Sequence, residues 1–222
     1  MRIVLILFSL LLMGASKPAT KPVDWTRVIT VTQAGSYVVG NPAAKVRLAE
    51  YMSYTCPHCA HFSAEGVPPM MRNYVAKGLV SFEIRNFLLN GLDFTAALAA
   101  RCGGPSRFMG NHEAILAAQQ AIMTRGQTFN AAAYGKDPVA GIKAWARVSG
   151  LANLMARRGI PAATLDKCIS DSREQQRIQA MTRDAAEVRK IPGTPYFYVN
   201  DKAVEGNTWA SVEPALRAAL NL

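Results

Sequence analysis

The chain has 222 residues, 25 lysines and arginines against 15 aspartates and glutamates, and a formal net charge of +10, with half of its residues hydrophobic. That length suits one core carrying an insertion, or two small domains. The basic residues are spread along the chain without a dense run or aromatic interleaving. This argues against a nucleic-acid-binding surface and leaves solubility and weak attraction to acidic surfaces as the work of the charge.

Met1-Arg2 is a short positive start, and Ile3–Met13 is an apolar run interrupted only by Ser9. Gly14, Ala15 and Ser16 supply the small residues of a cleavage site, so residues 1–16 read as a signal peptide. The apolar run is short for a membrane span; an uncleaved anchor is the alternative. No cysteine lies near the cleavage point for lipid attachment. Export places the protein in an oxidising compartment, the periplasm, where disulfides are expected. Residues 17–24, with Pro18 and Pro22, read as a tether.

Val28–Thr32 and Tyr37–Val39 are β-prone runs that predict a small hairpin. Asn41-Pro42 turns the chain into a strong strand over Lys45–Tyr51. A helix is expected from Ala60 to about Ala76, kinked or divided by Pro68-Pro69. Leu79–Phe87 reads as the next strand, with a connection long enough for a parallel crossover. Helical spacing then dominates through Phe94–Arg101, Arg107–Met123, Pro138–Val148, Ala162–Ser170 and Arg173–Val188. Tyr196–Val199 returns to strand character, Asn200-Asp201 turns the chain, Ala203-Val204 pairs back, and Trp209–Leu220 closes with a helix. The pattern is α/β: a small mixed sheet whose two parts, residues 25–91 and 190–222, are separated by a helical insertion over residues 92–189.

Cys56-Pro57-His58-Cys59 lies where the first strong strand gives way to its helix. Two cysteines at this spacing can close a small disulfide ring. The first sulfur then sits beside the free N–H groups and positive dipole end of the helix, which favour thiolate over thiol. A histidine between the cysteines adds positive charge. A stable thiolate makes the disulfide easy to reduce and the protein an oxidant of other thiols. Zinc is the rival use of C-x-x-C, but His58, His61, Cys102, His112 and Cys168 supply no second ligand pair at the right spacing. Haem attachment needs histidine directly after the second cysteine, where this chain has Ala60. A purely structural bridge would close too short a ring to restrict the unfolded chain much.

The chain resembles the DsbA-like thiol–disulfide oxidoreductases of the bacterial envelope, which share the thioredoxin fold. Three features carry the likeness: the Cys-Pro-His-Cys motif between Leu48–Thr55 and Ala60–Phe62, the segment Ile191-Pro192-Gly193-Thr194-Pro195-Tyr196-Phe197, and the long helical insertion. The resemblance implies a central mixed sheet flanked by helices, with the inserted helical domain. It implies that Cys56 is the exposed nucleophile, Cys59 the buried resolving partner and His58 a stabiliser of the thiolate. It implies that Pro195 follows a cis peptide bond and that the Thr194 backbone pairs with an extended substrate. Glu50, near the end of an apolar strand, stands where the family has a buried acid able to relay a proton to Cys59; a strand-end glutamate reaching solvent is the alternative. Cys102 and Cys168, in an oxidising compartment, read as a second, structural disulfide, which some members of the family carry; two separate buried thiols are the alternative.

The implied activity is an exported oxidase that passes its disulfide to unfolded, cysteine-containing proteins. It would act as a monomer, be reoxidised by a DsbB-type membrane protein, and need no cofactor and no metal. Thr194 departs from the valine common before this proline in DsbA proteins and matches the isomerase group. An isomerase or reductase on the same fold is therefore the alternative, although the stretch before the first strand is too short for an isomerase dimerisation domain. A non-catalytic envelope binding protein is the third reading.

Overall fold

In a computed structural model, which describes residues 23–222, the apolar run Val46–Met52 becomes the central strand of the protein (β3). The hairpin strands Ile29–Val31 (β1) and Tyr37–Gly40 (β2) precede it, and Val80–Asn86 (β4), Tyr196–Val199 (β5) and Lys202–Ala203 (β6) follow. The six strands form one sheet in the order β1-β2-β4-β3-β5-β6. Only β3 and β4 run parallel; every other pairing is antiparallel. Both central strands are buried on both faces, which is why they read as near-continuous apolar runs. The expected leader over residues 1–16 and most of the tether lie outside the described residues. Asp24, at the tether's end, caps a short 3-10 turn over Trp25–Arg27 by accepting from the Thr26 N–H at 3.2 Å.

Side chains alternate across a strand, so Leu48, Glu50 and Met52 share one face of β3 while Tyr51 looks the other way. The first face packs against the helix Pro57–Glu65 (α1), with the Phe62 ring 4.4 Å from that of Phe197 of β5 and tilted by 50° to it. Gly66 ends that helix because a Cβ there would meet the Phe62 ring at 2.6 Å. The chain restarts as Val67–Met70 (α2), with Pro68 and Pro69 in its opening turn, where a missing N–H does no harm. A π-helical turn, Met71–Val75, completes the crossover. The helix expected from Ala60 to about Ala76, kinked or divided by Pro68-Pro69, is divided, with the break at Gly66 just before the prolines. The far face of the sheet is covered near Tyr51 by Ala185 and Ile191.

Between β4 and β5 the chain runs through seven helices: Gly91–Arg101 (α3), Pro105–Ala117 (α4), Gln119–Gly126 (α5), Pro138–Val148 (α6), Leu151–Arg157 (α7), Ala162–Ile169 (α8) and Ser172–Arg183 (α9). The expected helix Arg107–Met123 is two, broken at Ala118 without any glycine or proline to announce it. The short α7 went unread because Gly150, its N-cap in the left-handed region, looked only like a stop. A disulfide joins Cys102, at the end of α3, to Cys168 in α8, with Cα atoms 5.5 Å apart. Arg101 ties the insertion to the sheet: it donates to the Gly35 carbonyl at 2.7 Å, to Asn86 Oδ1 at 2.9 Å and to Glu174 at 3.2 Å. A final helix, Trp209–Ala219 (α10), packs back on the core through Val212 and Leu216. Asn200 and Asp201 both adopt positive φ in the β5–β6 turn, as a tight hairpin requires.

Candidate active site

Cys56 is the N-cap of α1 and Pro57 its first residue, so the local sequence by itself aims the opening N–H groups of the helix at the Cys56 sulfur. Hydrogen bonding with the Cys59 thiol lowers the Cys56 pKa to about 5 against the opposing effect of burial. The Thr194 side chain and the backbone N–H groups of Cys59 and His58 contribute to that lowering. Cys59, one turn into the helix, is fully buried, and burial pushes its thiol well above the usual range. Both cysteines carry free thiols and both are buried, Cys56 at 5 % exposed, which corrects the exposed nucleophile expected at that position. The pair is thus strongly asymmetric: one sulfur is a ready thiolate, the other resists ionisation.

The second wall comes from the far end of the sequence. The Thr194–Pro195 peptide bond is cis, and the Cys56 thiol donates to the Thr194 carbonyl at 3.1 Å across 138 residues of chain. The antiparallel register of β5 on β3, which sets Glu50 opposite Phe197, brings this loop to the cysteines. Glu50 lies beneath them, 3 % exposed on the apolar face of the sheet. Burial, and after it the Cys56 charge, raises its carboxyl to about 8. It is therefore a neutral acid through most of the physiological range. The strand-end glutamate reaching solvent is excluded.

His58 behaves differently from its neighbours. Its side chain is exposed, and its backbone N–H is the part that serves Cys56. His61, further along α1, is exposed and pairs with Glu65 at 3.1 Å. Among the described residues, no group of three or more His, Cys, Asp or Glu side chains converges to hold a metal ion, and no helix is long and apolar enough to cross a membrane.

Several residues around the site escaped the sequence reading. Asp93, in the first turn of α3, accepts from the Tyr54 N–H at 2.8 Å and the Leu89 N–H at 2.9 Å. Gln119, opening α5, donates to the carbonyls of Tyr54 and Cys56, both at 2.9 Å. The Tyr54 hydroxyl meets His112 Nδ1 of α4 at 2.9 Å. The loop that delivers Cys56 to the helix is thus held from three helices of the insertion. Asn90-x-x-Asp93 carried a local signal, since Asn90 caps α3 by accepting the Asp93 N–H. It announces a helix start, with no hint of the cysteines. Gln119 carried no signal at all.

The largest cavity near the site, about 680 Å³, runs between α1, α2 and α4 and is lined by Ala60, Ala64, Val67, Met71, Met109 and Glu113 among others. It opens beside the helix that carries the cysteines, away from the Thr194 loop.

A family model described as thioredoxin matches residues 32–218. Among solved structures, a protein-disulfide isomerase from Novosphingobium aromaticivorans is 34 % identical, with a TM-score of 0.77, over 83 % of this chain and 97 % of that one. The alpha-DsbA1 of Wolbachia pipientis shares the fold at a TM-score of 0.64 and 18 % identity, over 86 % of this chain and 94 % of that one. A protein of Rickettsia prowazekii, provisionally named a protein-disulfide oxidoreductase, is 27 % identical over 92 % of this chain and 68 % of its own length. The chain spans about two thirds of the length of the curated relatives it matches. With the paired cysteines at a helix start, the cis proline loop beside them and this match over most of its length, the chain belongs to the thioredoxin family, and it shares its fold with DsbA proteins.

Proposed function

We propose that the chain is an exported oxidase that introduces disulfides into unfolded, cysteine-containing proteins of the periplasm, and that it works as a monomer. The observation that supports this reading is the Cys56 pKa of about 5. A thiolate this stable makes Cys56 a good leaving group and its disulfide a strong oxidant. A substrate thiolate attacks Cys56 of the Cys56–Cys59 disulfide, and the electron pair of the broken bond leaves on Cys59. That sulfur holds charge poorly and takes a proton, for which the neutral Glu50 beneath it is the donor. A second substrate thiolate then attacks the substrate sulfur of the mixed disulfide, and Cys56 departs as a thiolate. The substrate leaves oxidised and the enzyme reduced, to be reoxidised by a DsbB-type membrane partner.

The Thr194 backbone beside the cis Pro195 offers hydrogen bonds to an extended substrate segment. His58 contributes its backbone N–H to the Cys56 sulfur at the helix start. The signal peptide over residues 1–16 accounts for export, an uncleaved anchor being the alternative. The Cys102–Cys168 bridge serves to brace the helical insertion.

Isomerase or reductase is the second reading, favoured by Thr194 before the cis proline and by the 34 % identity to a protein named a disulfide isomerase. The reduction potential of Cys56–Cys59 in glutathione buffers separates the two. A value near roughly −120 mV is expected for a donor of disulfides, and one toward roughly −270 mV would overturn the oxidase reading.

A further inference from the structure

Asp93 is a buried acid that the exchange chemistry does not use. It is fully buried on α3, its two carboxylate oxygens accept N–H groups from two different loops, and the Ser53 side chain bonds to it as well. Among the described residues it forms no ion pair. One of those loops is the short stretch that delivers Cys56 to the head of α1, and Asn90, the cap of α3, donates to Thr55 in the same stretch at 2.9 Å. The carboxylate therefore holds the backbone two residues before the sulfur.

We propose that Asp93 is a positioning residue of the redox site whose buried negative charge opposes the Cys56 thiolate, so that the helical insertion restrains the oxidising strength of the cysteine pair. This rests on Cys56 being the reacting thiol. Two anions in one buried region each disfavour the other's ionisation. Burial raises the Asp93 carboxyl to about 6 against the pull of its hydrogen bonds, and the Cys56 charge adds to the rise. When the disulfide forms, that charge vanishes and Asp93 ionises more readily; when the enzyme is reduced, Asp93 binds its proton more tightly. The surrounding groups leave this coupling in place. Tyr54 is held neutral by burial, and its partner His112 on α4 is pushed down to about 4 and is uncharged above that. Glu50 on β3 and Arg101 at the far end of α3 are the remaining charges acting on Tyr54.

The Asp93→Asn variant keeps an acceptor oxygen for the Tyr54 N–H and removes the charge. In the purified chain, the Cys56 thiolate absorbance should titrate at lower pH. At neutral pH the glutathione equilibrium should move about three- to tenfold toward reduced protein, the equivalent of half to one pH unit. A titration and equilibrium within about twofold of the unmutated chain, or a shift the opposite way, would overturn the proposal. Should that variant not fold, the unmutated chain gives the same answer. Carboxyl-carbon NMR should place the Asp93 midpoint higher in the reduced protein than in the oxidised one, and equal midpoints would overturn the coupling. A reductant-like potential in the unmutated chain would defeat the oxidase reading alone, because the Asp93 effect is a difference between variants or between redox states.

Discussion

Lowering the pH should erase a stability advantage that the reduced protein holds at neutrality. Reduced, folded Cys56 titrates at about 5, against about 9 for the unfolded cysteine. A depressed pKa stabilises the folded chain fully above the unfolded value and loses that effect as the pH falls through the folded one. Each unit is worth about 1.4 kcal/mol. At pH 7 about two units act, and with some screening at the mouth of the site roughly 2–3 kcal/mol is expected. The disulfide form has no such charge. Closing the short Cys56–Cys59 ring adds ~2 kcal/mol at most to the oxidised side, and that contribution does not depend on pH. Desolvation of Glu50 and Asp93 acts in both forms and cancels; the Cys56 charge raises both carboxyls in the reduced form alone, and a Glu50→Gln background removes the first of those two couplings. The assay is urea unfolding of reduced and oxidised chain from about pH 8 to about pH 4. The difference between the two stabilities should shift toward the oxidised form by roughly 2–3 kcal/mol from pH 7 downward, falling steadily with pH and levelling off near 5. A difference that stays flat across that range would refute the thiolate at Cys56 and the chemistry built on it.

Other perturbations test the remaining parts. Glu50→Gln should slow thiol exchange, most of all below about pH 8, where the native carboxyl still holds its proton; exchange rates unchanged across pH would remove Glu50 from the proton path. Replacing both Cys102 and Cys168 by alanine opens a loop with a sequence separation of 66 and should lower unfolding stability by up to ~4 kcal/mol. A loss under ~1 kcal/mol in urea unfolding would mean that packing between α3 and α8 already holds the insertion. Thr194→Val deletes a side chain that lowers the Cys56 pKa. The Cys56 absorbance titration should then move to higher pH and the disulfide become harder to reduce, whereas an unmoved titration would assign the effect to the Cys59 thiol and the helix start.

What the amino-acid sequence determined by itself is the part of the site built within a few residues. Cys56, Pro57 and Cys59 at the junction of strand and helix suffice to place a sulfur at a helix N-terminus, because N-capping is decided by the chain's immediate neighbours. The paired strands, the hairpin turns and most helices were legible for the same reason, since burial writes its period into each segment. At Ala118 neither glycine nor proline marks the break, and at Gly150 a left-handed glycine opens a helix. The likeness to a known family supplied the roles of Thr194, Pro195 and Glu50, and spacing alone would not have done so. Tertiary structure decided the rest. The register of β5 on β3 carries a carbonyl 138 residues away to within 3.1 Å of Cys56. Packing on both faces of β3 buries Glu50, and the face onto which it turns decides that it lies beneath the cysteines. Asp93 and Gln119 look in the sequence like the openings of two unrelated helices, and only the docking of the insertion sets them on the loop before Cys56. Hydrogen bonds and charges act through space over a few ångströms, whatever the distance along the chain, so residues of this kind become visible only once the packing has brought them together.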